Sequence, residues 1–381
     1  METQGLFFII VPPGFELTAK KELEEKAPLY FPGYDFSFLS KVQVETGGIE
    51  LHLPLSIGFS LNHILKIPTR ILLRVESFKC RDFPKLFNKL KKLEWRQYLA
   101  GQMPAVDVTC HKSRLLNTNR IKETTQKAIA HYYKANPPKK IAEEELEKMH
   151  GIVYIRLDDN HCTISIDTSG DRLNIRGQRV LVGEAPIRET LAAAILYSLK
   201  DQIKSTTLID PMCGAGTICL EAMDFYNANC SRNFAYQFFP LTKSLIIPEL
   251  KLSVEPQWFK NYFGYDVSAK MVEVAQINTK GRIHCEKRDA TQVHPSKELG
   301  GAVIFNPPYG QRLLPDHRLD KFYAQVIMAL IESYSPSIIA LIIPQSLSPH
   351  KIHVPVTYRL KEVMKFKNGG FAVRLIIYLP K

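Results

Sequence analysis

The stretch VIFNPPYGQR, residues 303 to 312, places an asparagine, two prolines and a tyrosine at the end of an apolar run. Proline has no backbone N–H, so a strand running into Pro307 and Pro308 must leave the sheet ladder there, with carbonyl groups turned outward. The side-chain oxygen of Asn306 and the carbonyl of Pro307 can accept both hydrogens of an exocyclic amine, and the Tyr309 ring can stack on a base. An amine held in this way aims its lone pair at an electrophilic carbon, and positioning is then the main catalytic resource. A tight turn that merely ends a strand is the plainer alternative.

Three acids accompany it. LIDPMCGAGT, residues 208 to 217, ends a strand with Asp210 and enters a helix through Gly214 and Gly216, where backbone can approach a ligand closely. FGYDVS places Asp266 at a second strand end, suited to the two hydroxyls of a ribose, and EKRDAT places Asp289 after a third. A glycine turn alone could be empty; followed by three strand-end acids it reads as a site for an adenosine-like cofactor. The absence of G-K-[ST] excludes a nucleoside triphosphate P-loop. The gap between Gly216 and Asp266 exceeds the roughly 20 residues of a plain dinucleotide fold. An insertion rich in aromatic and basic residues, running from about Asn229 to Tyr262, is therefore expected near the site as a candidate substrate contact.

The elements that would carry these residues follow from periodicity. From Asp171 onward strands alternate with helices, the pattern of a parallel sheet covered on both faces. Strands are expected at 207–210, 263–266, 283–288, 302–306 and 338–343, closed by an antiparallel hairpin around Asn368-Gly369-Gly370. Residues 1–66 read as a small mixed unit: strand 6–11, helix 16–26 and a hairpin turning at Gly47-Gly48. Residues 67–168 give a strand with Ile71, Leu73 and Val75, an amphipathic basic helix from Phe83 to Leu93, and a strand through Val106 and Val108. A basic loop and helix, then a hairpin turning at Asp159-Asn160, complete this part.

Composition sets limits. The 381 residues suggest two or three domains, and the apolar runs are too short for a membrane span; the opening LFFII run reads as a buried strand rather than a leader, so the cytoplasm is expected. Seven cysteines without a C-x-x-C pair, and scattered histidines, predict reduced thiols and no metal. The excess of 50 Lys and Arg over 38 Asp and Glu favours a polyanionic partner, although a basic solvated surface would look the same.

DPMCGAGT, GYDVS, RDAT and NPPYG resemble the ordered motifs of class I S-adenosylmethionine-dependent methyltransferases acting on amino nitrogens. RGQRVLVGEAPIRETLAAAIL, DTSGDRLNIRGQR and RNFAYQFF resemble stretches of RNA guanine-N2 methyltransferases, and CHKSRLLNTNRI resembles the signature of the THUMP RNA-binding module. The resemblance covers essentially the entire chain. It implies an α/β fold with a Rossmann-like sheet whose last strand is antiparallel, preceded by an α+β ferredoxin-like unit (1–66) and a THUMP domain (67–168), with the methyltransferase domain at 169–381. It implies S-adenosylmethionine held by Asp210, Pro211, Cys213, Gly214, Gly216 and Thr217 around the methionine part, Asp266 at the ribose and Asp289 near the adenine. Pro186, Arg188 and Glu189 would line the other side, and Asn306 to Tyr309 would meet the target amine. RNA contacts are expected at Lys112, Ser113, Arg114, Asn117 and Arg120. Gln178 replaces a usual aromatic residue and Phe239 a frequent tryptophan. The implied activity is methyl transfer to guanine N2, in large-subunit ribosomal RNA of bacterial type first and tRNA second. NPPY also occurs in DNA adenine-N6 and protein glutamine-N5 methyltransferases; the THUMP-like region favours RNA. A non-catalytic RNA-binding protein would not need both Asp266 and Asn306.

Overall fold

The computed structural model describes residues 3–137, 151–177, 181, 187–252, 257–295, 299–309 and 319–381. Pro186 and Gln178 lie outside the described residues. The chain forms two compact units: Met1–Val11, Leu23–Ile175 and Asn229–Lys251 make the first, and Pro12–Glu22, Arg176–Ala228 and Leu252–Lys381 the second.

The first unit is built on one seven-stranded sheet in the order β2-β3-β1-β4-β7-β6-β5. Its strands are β1 (Gln4–Ile10), β2 (Val44–Glu45), β3 (Gly48–Pro54), β4 (Arg70–Lys79), β5 (Ala105–His111), β6 (Ile152–Asp158) and β7 (His161–Asp167). Because β1 pairs antiparallel with both β3 and β4, no break in the sheet separates residues 1–66 from 67–168. The basic helix (Phe83–Leu90) begins where the Asp82 side chain accepts from the Lys85 N–H, and it buries Leu86 and Leu90. Asn117 caps the next helix (Thr118–Ala135) by accepting from the Arg120 N–H.

A helix that periodicity does not announce, Leu55–Ile64, has every residue buried. Gly58 is obligatory there, since a Cβ would come within 2.1 Å of the Phe7 ring. Its polar residues are all engaged: Asn62 donates to Thr168 Oγ1 at 2.9 Å and accepts from Ser169 Oγ at 2.6 Å. His63 Nδ1 lies 2.7 Å from the Asn229 carbonyl and Nε2 2.9 Å from the Tyr236 hydroxyl. A carbonyl can only accept, so Nδ1 carries the proton, and burial holds the ring below its ordinary pKa.

The inserted segment 229–251 belongs to this first unit. Tyr236 stacks on Phe59 with ring centres 5.0 Å apart, and Phe239, 2 % exposed, meets Phe59 and Tyr98 edge-on at 6.0 and 6.1 Å. The insertion was expected to offer a substrate contact; its Tyr236 and Phe239 rings are buried in the core of the first unit.

The second unit carries a seven-stranded sheet in the order β10-β9-β8-β11-β12-β14-β13. Strands β8 (Thr207–Asp210), β9 (Asn261–Asp266), β10 (His284–Lys287), β11 (Ala302–Phe305) and β12 (Ile338–Pro344) are parallel, and β14 (Phe371–Pro380) joins β12 antiparallel after its hairpin partner β13 (Tyr358–Asn368). One face packs on the helix Leu319–Tyr334 through Tyr323, Val326, Ile327, Leu330 and Tyr334, a helical spacing against Val303, Phe305, Ile339 and Leu341 of the strands. From β8 the chain winds outward one way through β9 and β10, then returns beside β8 with β11 and winds the other way. The crevice at the carboxyl ends of β8 and β11 is therefore the topological switch point, where ligands bind in open α/β sheets.

Candidate active site

Asp210, Asp266 and Asn306 lie at the carboxyl ends of β8, β9 and β11, with Asp289 just beyond β10, so the sheet brings the expected acids and the amine acceptor to one edge. The glycine turn follows Asp210. Gly214 and Gly216 have φ of +50° and +79°, the left-handed region that favours glycine, and a Cβ on Gly216 would stand a close 3.2 Å from Thr279 Cγ2. Pro211 and Thr217 are buried beside it, and Gly216 N–H closes the turn on the Cys213 carbonyl at 2.8 Å.

Asp266 ties the turn to its neighbours. Its Oδ2 accepts from the Gly214 N–H at 3.0 Å and its Oδ1 from the Ser268 N–H at 2.9 Å, and each oxygen retains a lone pair for a hydroxyl. Val267 beside it is 63 % exposed, an apolar surface that the sequence did not single out. Asp289 accepts from the backbone and hydroxyl of Thr291 at 2.9 and 2.7 Å, which holds its carboxyl below the ordinary range. The Cys213 thiol hydrogen-bonds with Cys285, and that contact together with burial keeps it protonated, so it is a packing group and not a nucleophile.

Asp210 is 1 % exposed and accepts from the Met212 N–H at 3.1 Å. Burial, with Asp266 nearby, pushes its carboxyl up to about 8 from 3.8. The native state then holds this proton more tightly than the unfolded chain. Its stabilising contribution is complete below pH about 4 and is lost as pH rises through about 8. Relative to Asp210→Asn, the wild type is expected to lose melting temperature progressively between pH about 4 and 8; parallel curves would mean that the carboxylate stays charged in the fold.

Two residues that sequence reasoning missed tie neighbouring segments to the glycine turn and to the helix that follows it. Asn278, 2 % exposed, donates to the carbonyls of Leu181 and Ala215, each at 3.0 Å, and accepts from the Leu181 N–H at 3.0 Å, joining the upstream segment to the glycine turn. Glu221 pairs with Arg176 in a buried bidentate contact at 3.0 and 3.2 Å. Neither follows a motif; both are visible only through long-range packing. Arg188 caps the helix Glu189–Ser198 through its carbonyl and its side chain is exposed, while Glu189 stands in the first turn.

At the end of β11 the Asn306 Oδ1 is buried without a hydrogen-bond partner among the described residues. An orphaned acceptor of this kind is costly unless a ligand completes it. The Pro308 carbonyl accepts from the Tyr323 hydroxyl at 3.0 Å, and the Tyr309 hydroxyl accepts from Asn368 Nδ2. Burial raises the Tyr309 phenol, which excludes it as a base at neutral pH. Phe371, 51 % exposed, meets Tyr309 edge-on at 6.3 Å. The hairpin tip that carries Asn368 and Phe371 is thus part of the site, which the sequence indicated only as a turn.

In the first unit, Lys112, Arg114 and Arg120 are exposed on the loop and helix after β5, with Lys112 at φ +43°. Arg120 lies 4.2 Å over the Phe83 ring. Ser113 is buried, donating to the His111 carbonyl and accepting from the Asn160 N–H, and Asn160 Oδ1 takes the Arg114 N–H at 2.8 Å. The left-handed Asp159-Asn160 hairpin turn therefore shapes this loop, while Ser113 and Asn117 serve its geometry. Among the described residues no group of three His, Cys, Asp or Glu could hold a metal, and no helix is long and apolar enough to cross a membrane.

Comparison with known proteins agrees with this geometry. Residues 176–373 match the family described as RMKL-like, methyltransferase domain, and residues 80–167 match the THUMP domain. A Bacillus subtilis protein named "Putative RNA methyltransferase YpsC" is 31% identical, over 69% of this chain and 71% of its own length. The ribosomal RNA large subunit methyltransferase K/L of Methylococcus capsulatus is 28% identical over 78% of this chain but only 42% of its own length, so the chain corresponds to less than half of that relative. The solved structure of SMU.472, "a putative methyltransferase complexed with SAH", shares the fold at TM-score 0.76 and 24% identity, covering 100% of this chain and 99% of that one. The glycine turn open at Gly214 and the half-buried Asp266 carboxylate fit the family's donor, S-adenosylmethionine, and the Asn306 oxygen, unpartnered among the described residues, leaves an acceptor for the group to be methylated. The chain belongs to the RMKL-like methyltransferase family and carries a THUMP domain ahead of its catalytic domain.

Proposed function

We propose that the protein is an RNA methyltransferase that methylates the exocyclic N2 of a guanine in large-subunit ribosomal RNA. The observation that carries the chemistry is the buried Asn306 Oδ1 at the sheet's switch point, which has no hydrogen-bond partner among the described residues, beside a turn whose prolines cannot donate. The THUMP match and the names of the relatives support RNA, and the K/L relative supports the ribosomal target. In this reading residues 1–66 and 67–168 grip RNA shape and phosphates, and 169–381 does the chemistry.

S-adenosylmethionine supplies an electrophilic methyl group. Asp210, Pro211, Cys213, Gly214, Gly216 and Thr217 would surround its methionine part, with Arg188 and Glu189 opposite; Asp266 would take the ribose hydroxyls and Asp289 would stand near the adenine. Asn306 Oδ1 and the Pro307 carbonyl accept the two amine hydrogens, turning the nitrogen lone pair toward the methyl. Tyr309 and Phe371 offer ring surface to a guanine that has left its stack.

Nucleoside mass spectrometry of ribosomal and transfer RNA, from cells with and without the gene, tests the assignment. Loss of N2-methylguanosine from large-subunit RNA is expected. Loss from tRNA would keep the chemistry and replace the target; no change in either RNA would reject both.

Lys112→Ala with Arg114→Ala is expected to weaken RNA binding and to flatten its dependence on salt by about 1 to 2 in log–log slope, since each lost phosphate contact removes roughly 0.7 to 0.9. Binding isotherms at several salt concentrations check this. An unchanged slope would move phosphate recognition to other residues.

A further inference from the structure

Pro307 and Pro308 have no N–H to donate, so the Asn306–Tyr309 turn can be held in place mainly by donors from elsewhere. Among the described residues, two such donors reach it. The Tyr323 hydroxyl donates to the Pro308 carbonyl at 3.0 Å, from a side chain that is 0% exposed on the sheet-facing side of the helix Leu319–Tyr334. The Asn368 amide, 8% exposed at the end of β13, donates to the Tyr309 hydroxyl.

The chain places each of them by a distinct device. Tyr323 belongs to the buried stripe that includes Val326, Ile327 and Leu330, so its ring is fixed by packing and only its hydroxyl is left to act. Asn368 precedes Gly369 and Gly370, at φ of +56° and +89°, in a hairpin whose register shifts between Glu362 and Met364. That bulge puts Phe366 and Asn368 opposite Val373 and Phe371, on one face. Two elements far apart in sequence thus converge on one four-residue turn.

We propose that Tyr323 and Asn368 are positioning residues for methyl transfer: together they lock the turn so that Asn306 Oδ1 and the Pro307 carbonyl stay aimed at the target amine. This rests on the reading of Asn306–Tyr309 as the amine-binding element. Tyr323 occupies the Pro308 carbonyl and so defines which carbonyl of the turn serves the amine. Asn368 fixes the Tyr309 ring by its far end and sets the plane on which a base can lie.

The test is methyl transfer to ribosomal RNA prepared from cells lacking the gene. Tyr323→Phe removes one oxygen and keeps the packing. It is expected to lower kcat about 10-fold to 100-fold, since a misplacement of about 1 Å costs about that much, while KM for RNA and Kd for S-adenosylhomocysteine stay within about 2-fold. Asn368→Ala and Tyr309→Phe are each expected to lower kcat about 10-fold, and the double variant no further, because both delete the same bond. An unchanged kcat in Tyr323→Phe overturns its positioning role. A rise in KM or Kd with kcat preserved also overturns it, assigning Tyr323 to packing alone. Full additivity of Asn368→Ala and Tyr309→Phe does the same for Asn368. Undiminished turnover in Asn306→Ala would reject the amine-site reading itself, whereas loss there with normal Tyr323→Phe rejects only the positioning claim.

Discussion

Asn306→Ala is expected to reduce methyl transfer by about 100-fold to 1,000-fold, with RNA affinity and S-adenosylhomocysteine affinity nearly unchanged. The side-chain oxygen it deletes is buried and has no partner among the described residues, so its removal leaves no orphan behind among them and relieves a desolvation cost. Stability should hold or rise slightly. The loss falls on the step in which the amine is gripped, where removing one preorganised group typically costs about 10² to 10³ in rate, about 3 to 4 kcal/mol of barrier. Asn306→Asp keeps an acceptor but brings a charge into a buried position, so it should retain measurable but reduced turnover. Single-turnover assays at saturating cofactor read the effect directly. Wild-type turnover in the alanine variant would remove Asn306 from the chemistry.

Much of this site was legible because its determinants are local. Asp210, Asp266 and Asn306 each end a strand, and strand ends are marked by the switch from apolar alternation to glycine, acid or proline within a few residues. The parallel order then carries them to one edge without further information. Asn278 was not legible for the opposite reason. An asparagine in a helix has no local signature for bonding to Leu181, and its role exists only once the helix Ala269–Thr279 packs against the glycine turn. Tyr323 is hidden in the same way: its spacing announces a buried helix face, but not that its hydroxyl meets the Pro308 carbonyl.

The inserted segment shows where composition misleads. Phe234, Tyr236 and Phe239 sit beside Arg232 and Lys243, a mixture that suits nucleic acid and equally suits a core with a polar rim. The structure spends these rings on Phe59, His63 and Tyr98, and Arg232 donates to the carbonyls of Ser169 and Asp171. Their partner is the helix Leu55–Ile64, which lacks a polar face because all of it is buried, so neither half of the contact carries a periodic signal.

Asp266→Ala is expected to weaken S-adenosylhomocysteine binding about 100-fold, about 2.7 kcal/mol. Two losses combine. The first is the hydroxyl contacts, since a hydrogen bond to a charged group contributes about 1.5 to 3 kcal/mol. The second is the turn itself: Asp266 holds Gly214 N–H at 3.0 Å and Ser268 N–H at 2.9 Å, so without it the glycine turn and the start of the helix Ala269–Thr279 lose their common anchor. Asp266→Asn separates these contributions. An amide has one oxygen and one NH2 where the carboxylate offers two acceptors, so one of the two backbone N–H groups must face a donor. The Asn variant should therefore approach the Ala variant in affinity, although it has nearly the shape of the wild type. Calorimetric titration of all three proteins checks this. Near-normal affinity in Asp266→Asn would show that shape alone suffices and that the carboxylate's two acceptors do not set the cofactor turn.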